Sequence, residues 1–159
     1  MKYNRPHAVA SWGTQAKDWE RGVDYQRLIQ DRLKRAQDAV KANGLGAVLC
    51  FNFDNIRYLT GTHIGEWARD KFMRYAMAAA DGPALLWDPA APAKRIASPW
   101  IANHVQAPIS TMQGGLPLNM GIQGDFARQI KKGMADLGIS GKPIGIDIME
   151  LPMIRALEA

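Results

Sequence analysis

Three histidines and one cysteine are the strongest metal ligands that this 159-residue chain offers. His7, His63 and His104 lie far apart, and none has a second ligand two, three or four residues away, the spacing at which a helix or strand brings ligands together. No HExxH motif, cysteine pair or Asp/Glu cluster accompanies them. The sequence therefore predicts that no metal is bound within this chain.

Motifs for nucleophilic catalysis and for phosphate binding are equally unsupported. Ser11, Ser98 and Ser110 lack the strand-to-helix elbow that presents an activated serine. Gly114-Gly115 leads into Leu116-Pro117, whereas a phosphate-binding loop ends in Gly-Lys-Ser/Thr and opens a helix. We therefore expect no catalytic residue in this chain.

The segment after the first apolar run is a candidate ligand-binding loop. Ala47 to Phe51 predicts a buried strand, and ligands of α/β sheets gather at the carboxyl ends of strands. In the residues that follow, Asn55 can bond turn backbone, Arg57 can make bidentate contacts to a carboxylate, and Tyr58 can pack while offering a hydroxyl. In the alternative interpretation, Asn55 caps a short helical turn, Arg57 lies on the surface and Tyr58 fills the core.

A second candidate loop is rich in aromatic and charged side chains. Trp67 is followed by Arg69, Phe72 and Arg74, and Trp and Arg dominate the energetics of binding surfaces. A loop tryptophan also commonly covers an edge of the core. The residue types alone leave binding and packing both open for Trp67.

The periodicity of apolar residues predicts alternating helices and strands behind an amino-terminal arm at residues 1–23. Asp24 and Asn43-Gly44 bracket the clearest amphipathic helix, and Asp81-Gly82 is a strong hairpin signal. Strands are predicted at 46–51, 73–80, 84–87, 104–109 and 144–147, and helices at 24–43, 90–101, 120–137 and from 150 onward. This order indicates an α/β domain with a mixed sheet and helices on both faces.

Composition narrows the class of protein further. The chain is 47% apolar and 22% charged, as in ordinary globular proteins, and no apolar run is long enough to cross a membrane. Without a secretory signal, and with the single Cys50 in an apolar run that predicts a buried inert thiol, we expect a cytoplasmic protein. The net charge of +5 comes from basic residues interleaved with acids, as at 31–38, which predicts a solvated helix face and no nucleic-acid partner.

These features, in their order and spacing, resemble the amino-terminal domain of creatinase, prolidase and aminopeptidase P, the pita-bread metallopeptidase family. The resemblance covers residues 24–159 and implies a mixed, mostly parallel sheet with a β-hairpin and helices on both faces, of the ribonuclease H-like type. It rests on the helix ending at Asn43-Gly44, the strand Ala47 to Phe51, the segment Asn55 to Gly61, the hairpin ending in Leu86-Trp87-Asp88, and Gly145-Ile146-Asp147 before a helix.

What the resemblance implies is a noncatalytic domain of a homodimeric, metal-dependent Xaa-Pro peptidase or creatinase-like hydrolase acting on a small molecule or short peptide. The catalytic pita-bread domain, which binds Mn, Co, Zn or Fe, is absent from this chain, so the chain alone is expected to be inactive. The amino-terminal domain shapes substrate access and packs across the dimer. Trp67, Arg69, Phe72 and Arg74 are expected to reach the partner's active site, with Asn55, Arg57 and Tyr58 supporting the loop.

Two further expectations concern the branch of the family and the extent of the chain. The loop from Trp67 to Arg74 and residues 155–159 look most like the branch containing dimethylsulfoniopropionate lyase, and His63 to Glu66 departs from the common peptidase form. Peptidase and lyase chemistry therefore both stay open. The chain ends inside a predicted amphipathic helix, so we expect a truncated domain; the alternative is a free-standing small-molecule or protein-binding module of the same fold.

Overall fold

A computed structural model describes residues 22–62, 73–109 and 121–159 of the chain. The elements in this part are α1 (Tyr25–Ala42), β1 (Ala47–Cys50), α2 (Phe53–Thr60), β2 (Tyr75–Ala79), β3 (Leu85–Trp87), α3 (Ala91–Ala97), a 3-10 turn (Ala102–His104), β4 (Val105–Gln106), α4 (Ile122–Asp136), β5 (Ile144–Ile146) and α5 (Leu151–Glu158). None of the described helices is long and apolar enough to cross a membrane. The predicted arm at residues 1–23 lies almost wholly outside the described residues.

The five described strands form one sheet in the order β4-β3-β2-β1-β5. β1 pairs antiparallel with β2 and parallel with β5, while β3 pairs antiparallel with β2 and parallel with β4. It follows that β2 alone runs opposite to the other four strands. The predicted mixed, mostly parallel sheet with a β2–β3 hairpin is confirmed, and Gly82 supplies the positive φ of the hairpin turn.

Apolar side chains cover both faces of the sheet, because alternate residues of each strand point to opposite sides. On one face, buried residues of α2 and α3 and half-buried residues of α1 pack on Cys50, Ala76 and Leu86. On the other face, α4 and α5 pack on an aromatic cluster in which Phe51, Tyr75, Trp87 and Phe126 have ring centroids 5.2–6.0 Å apart. The prediction of helices on both faces is therefore confirmed.

The helix boundaries follow local capping chemistry. Asp24 caps α1 by accepting a hydrogen bond from the backbone N–H of Arg27 at 3.0 Å, as predicted. Asn43 ends the helix and Gly44 takes a left-handed φ of 67°. α3 ends at Ala97, and its C-cap Ser98 is followed by Pro99, whose ring cannot continue a helix.

The prediction of a loop at Asn55 to Gly61 is wrong, because these residues belong to helix α2. The side chain of Asn52 caps the helix by accepting from the backbone N–H of Asp54 at 2.8 Å, and Gly61 ends it at a φ of 65°. Ile56, Leu59 and Thr60 are buried at helical spacing. The Asn cap and the closing glycine thus define a two-turn helix directly after β1.

β5 is less buried than its apolar sequence predicts. Its three residues are only half-buried, because β5 lies at the edge of the described sheet with β1 as its one neighbour. β4 forms the opposite edge, as expected for the weak strand signal at 104–109.

Candidate functional site

Polar side chains converge where β1, β3 and β5 end and β2 begins. The register pairs Tyr75 with Trp87, so the preceding Arg74 lies opposite Asp88, one residue beyond the paired strands. On the other side of the sheet, Leu49 pairs with Ile146, so that Asp147 follows beside Cys50. This edge, the carboxyl ends of four of the five strands, is where α/β sheets present ligand-binding residues. We refer to it as the carboxyl edge.

Asp147 ties β5 to the start of α2. One carboxylate oxygen accepts from the backbone N–H groups of Phe51 at 2.9 Å and of Ile148 at 2.6 Å. The other accepts from the backbone N–H of Asn52 at 3.0 Å and from the side-chain amide of Asn55 at 2.9 Å. Each oxygen therefore has two donors, and the carboxylate is occupied in joining two elements that are 92–96 residues apart in sequence.

This arrangement suits a structural role for Asp147. A carboxylate oxygen accepts about two hydrogen bonds, so the four N–H donors engage both oxygens of Asp147 in holding backbone and side chains in place. Within residues 22–62, 73–109 and 121–159, no group of three or more His, Cys, Asp or Glu side chains is placed to hold a metal ion. The described residues therefore do not fit the ligand set of a divalent metal.

Cys50 lies beside this carboxylate as a buried free thiol. Burial, followed by the charge of Asp147 and a hydrogen bond with it, raises the pKa of Cys50 from its ordinary 9.0 to about 12. The thiolate is the reactive form of cysteine, so a thiol with this pKa is inert at neutral pH. The predicted burial of Cys50 is confirmed.

A second polar group, formed by Arg74, Asp88 and Lys94, lies at the carboxyl edge on the α1–α3 side of the sheet. Arg74 Nε lies 3.2 Å from an oxygen of Asp88, and the two side chains are 5% and 1% exposed. The second oxygen of Asp88 accepts from the backbone N–H of Ala90 at 2.7 Å, which fixes the turn after β3. The guanidinium carbon of Arg74 lies 5.5 Å from the centre of the Phe53 ring, within cation–π range.

Lys94 on α3 completes this group. Burial lowers the pKa of Lys94, the negative charge of Asp88 opposes that shift, and the positive charge of Arg74 lowers the pKa further. Lys94 is therefore close enough to sense both partners of the buried ion pair. We call Arg74, Asp88 and Lys94 the charged cluster.

The structure separates the residues that the sequence grouped as loop support. Asn55 bonds to Asp147, Arg57 is exposed on α2, and Tyr58 is half-buried with the Arg32 guanidinium 5.6 Å from its ring centre. Of the expected substrate-access residues, Trp67, Arg69 and Phe72 lie outside the described residues, and Arg74 is buried at the carboxyl edge. The access and support roles stay predictions.

Two aspartates of the carboxyl edge, Asp88 and Asp147, were not singled out from sequence as site residues. Each directly follows an apolar strand. That position could have identified them, because a carboxylate directly after a strand lies near the ends of the neighbouring strands. Of the three histidines, only His104 lies among the described residues, half-buried at the end of the 3-10 turn.

Two grooves run beside β5 at the edge of the described sheet. One, of about 380 Å³, is lined by apolar residues of α1, β1, α2 and β5 and reaches Asn55 and Asp147. The other, of about 890 Å³, lies between α4, α5 and the turn that precedes β5. Both lie within the size range of small-molecule sites, which span roughly 300–1,000 Å³.

The fold is a mixed α/β domain with the hydrogen-bonded Asp147 and the buried Arg74–Asp88 pair at its carboxyl edge. Residues 32–152 match the family model of the Creatinase/Prolidase N-terminal domain, which covers most of the chain. The chain belongs to that family, as its resemblance predicted. A search of curated proteins gave no match.

Proposed function

We propose that this chain is the noncatalytic domain of a cytoplasmic, homodimeric, metal-dependent hydrolase of the Xaa-Pro peptidase or creatinase type. In that protein it shapes substrate access and contributes to the dimer. The observation that carries the proposal is the match of residues 32–152 to the Creatinase/Prolidase N-terminal domain. A divalent metal, Mn, Co, Zn or Fe, would be held by a catalytic domain outside these residues and would activate a water for attack on the substrate.

The chemistry of the carboxyl edge supports a noncatalytic role. Asp147 has all its acceptor positions filled, Cys50 is an inert thiol, and Asp88 is shared between Arg74 and the turn after β3. The two aspartates are thus engaged in structural contacts, and the raised pKa of Cys50 keeps its thiol protonated at neutral pH.

The described residues on either side of residues 63–72 support a role in presenting this segment. Thr62 and Met73, which flank this segment, are 1% and 4% exposed. The Thr60 hydroxyl bonds to the carbonyl of Ile56 and to Thr62, both at 2.7 Å, and the indole N–H of Trp100 donates to the carbonyl of Thr60 at 2.8 Å. The segment that carries Trp67 is thus flanked on both sides by buried residues.

The test compares the isolated chain with the longer protein that the proposal expects. Residues 1–159, incubated with Mn²⁺, Co²⁺, Zn²⁺ or Fe²⁺, should turn over neither Xaa-Pro dipeptides, nor creatine, nor dimethylsulfoniopropionate. The longer protein should turn over one of the three, and which one it accepts decides between the peptidase, creatinase and lyase branches. Metal-dependent turnover by residues 1–159 would contradict the noncatalytic assignment.

A substitution in the longer protein tests the access role. Trp67→Ala should lower kcat/KM by at least about tenfold, the loss expected from one binding contact of ~1.4 kcal/mol, while leaving the thermal midpoint unchanged. Ile96→Ala is the matched control, because Ile96 is 84% exposed on α3 and should affect neither quantity. Parallel loss of stability and activity in Trp67→Ala would make this residue part of the packing instead.

The alternative function is a free-standing small-molecule-binding module, and the 380 Å³ groove beside β5 is the observation that favours it. In that case residues 1–159 alone would retain a ligand. Ala39→Phe, which adds a ring inside the groove, would abolish that retention. A longer protein whose turnover requires this domain would argue for the first proposal.

A further inference from the structure

The two edges of the described sheet differ in how they are covered. At the β4 edge, the Arg95 side chain donates from Nε and Nη2 to the carbonyl of Val105 at 3.0 and 2.7 Å. That carbonyl points away from the sheet, because the next residue, Gln106, is the one that bonds to β3, accepting from the N–H of Asp88 at 2.9 Å. A charged side chain over an edge strand is a common way to prevent another strand from pairing there.

The β5 edge has no such cover among the described residues. The residues on either side of this strand, Pro143 and Asp147, direct backbone groups to β1, with donor–acceptor distances of 2.7 and 3.3 Å. Because backbone direction alternates along a strand, Gly145 bonds to β1 as well, while the N–H and carbonyl groups of Ile144 and Ile146 point away from it. In the described part of the chain, β1 is the only strand beside β5, so these outward groups have no strand to pair with there.

The residues of β5 do nothing to discourage pairing. The strand Ile144–Ile146 carries no charge and has no bulge, and Pro143, which would remove a donor from an open edge, faces β1 instead. Both isoleucines are only half-buried against the core on the α4–α5 side of the sheet. The next apolar residues along the chain, Ile148 and Leu151, are 38% and 57% exposed. An open strand edge with apolar side chains beside it is the combination by which proteins accept an added strand.

We propose that β5 is the surface through which two copies of this chain associate, by antiparallel pairing of β5 with β5 of the second copy. A two-fold axis through Gly145 places Ile144 of each copy opposite Ile146 of the other. Each of these opposed pairs exchanges two backbone hydrogen bonds, so every outward N–H and carbonyl group of β5 acquires a partner. The five described strands of each copy then continue as one sheet across the axis.

The residue pattern of β5 suits a copy of itself. Gly145 faces its own counterpart in the narrow, non-hydrogen-bonded pair, where α-carbons approach to about 4.5 Å, and it brings no side chain into that space. On the α4–α5 side, the isoleucines of the two copies lie opposite one another and extend the core cluster across the axis. The groove on that side contains charges of both signs, from Lys131, Lys142 and Glu158, so no field of a single sign repels the second copy there.

This inference deepens the dimer role in the proposed function, and it rests on that role for its meaning in the longer protein. One short strand and a few neighbouring side chains form the contact, so it falls at the small end of specific interfaces, below about 1,200 Å² of buried surface. The isolated chain should therefore associate reversibly, with a Kd of roughly 10–100 µM.

The test measures the mass of the 159-residue chain by sedimentation equilibrium between about 5 and 500 µM, a range that brackets this Kd. Amide spectra of the ¹⁵N-labelled chain are recorded over the same range. A reversible monomer–dimer equilibrium is expected, in which the Ile144 and Ile146 amides shift and become protected from hydrogen exchange as concentration rises. The Val105 amide at the opposite edge should not change. A chain that stays monomeric, or a dimer that leaves the two β5 amides unchanged, overturns the proposal.

A matched pair of substitutions separates backbone pairing from side-chain packing. Ile144→Pro removes an outward N–H from each copy without removing a bond to β1, and should raise the Kd at least about tenfold. Ile144→Val keeps that N–H and should change the Kd by less than about threefold. Equal Kd values for the two folded variants contradict the proposal. If Ile144→Pro does not fold, the amide shifts of the wild-type chain decide the question.

The same two amides report on the longer protein. If Ile144 and Ile146 are protected there while that protein is a monomer, its own polypeptide covers the edge and the proposal fails. Association of residues 1–159 through β5, without metal-dependent turnover by the longer protein, leaves the pairing standing and removes the proposed enzyme.

Discussion

Replacement of Asp147 by alanine is the perturbation for which the structure predicts the clearest loss of stability. The substitution removes a carboxylate that accepts four hydrogen bonds and joins β5 to the first turn of α2. Phe51 is fully buried, so its backbone N–H is the donor of the four that water replaces least readily. The other donors belong to exposed residues and can turn to solvent.

The size of the stability loss follows from this difference between buried and exposed donors. A buried donor left without a partner costs about 1–3 kcal/mol, and each exchange of an exposed hydrogen bond for water costs only a few tenths to ~1 kcal/mol. We therefore expect Asp147→Ala to lower the free energy of unfolding by about 2–4 kcal/mol. For a chain of this size that corresponds to a fall in the thermal midpoint of roughly 5–15 °C.

The assay is urea unfolding followed by circular dichroism, with two matched variants. Asp136→Ala removes an aspartate whose only described partner is Lys132 in an exposed i,i+4 pair, and should change stability by less than about 0.5 kcal/mol. Asn55→Ala removes one exposed donor of the four and should cost under ~1 kcal/mol. If Asp147→Ala lowers the free energy of unfolding no more than Asp136→Ala does, the hydrogen bonds of Asp147 do not stabilise the contact between β5 and α2, and the reasoning is refuted.

Two further predictions concern packing and ionisation. In α4, a Cβ added at Gly133 would lie 2.9 Å from the Trp87 ring, whereas a Cβ added at Gly124 would meet only the end of the Arg128 side chain at 3.5 Å. The free energy of unfolding of Gly133→Ala, measured by chemical denaturation, should therefore be about 1–3 kcal/mol lower than that of Gly124→Ala. Equal stabilities of the two variants would mean that the Trp87 ring moves aside without cost. Because folding raises the pKa of Cys50, the unfolded chain loses the thiol proton at a lower pH than the folded protein does. The free energy of unfolding of the wild type should therefore fall by about 1.4 kcal/mol relative to that of Cys50→Ala between pH 7.5 and pH 10. A stability difference between these two proteins that does not change with pH would argue against a buried thiol.

Local sequence signals were sufficient for most of the fold. Asp24 and Asn43-Gly44 bracket α1 because capping depends on residues within a few positions of the helix end. Asp81-Gly82 specifies the β2–β3 hairpin for the same reason, since the turn needs a residue that tolerates positive φ. The mixed α/β class and the family were accordingly accessible from the sequence.

The segment after β1 shows where local signals were misread. The strand Ala47–Cys50 is followed at once by a helix, and the cap is Asn52, not Asn55. The side-chain amide of Asn55 instead donates a hydrogen bond to Asp147, which lies 92 residues further along the chain. No local pattern specifies such a contact, because it arises only when β5 pairs in parallel with β1.

The sequence by itself determined the alternation of helices and strands, the burial of Cys50 and membership of the Creatinase/Prolidase N-terminal family, since each depends on residue type and short-range spacing. Only the tertiary structure decided that Asp147 joins β5 to α2 through its hydrogen bonds, and that Arg74 is buried against Asp88. The physical reason is that these hydrogen bonds and ion pairs form between side chains that are distant in sequence. The register of the strands brings those side chains together, and local residue patterns do not specify that register.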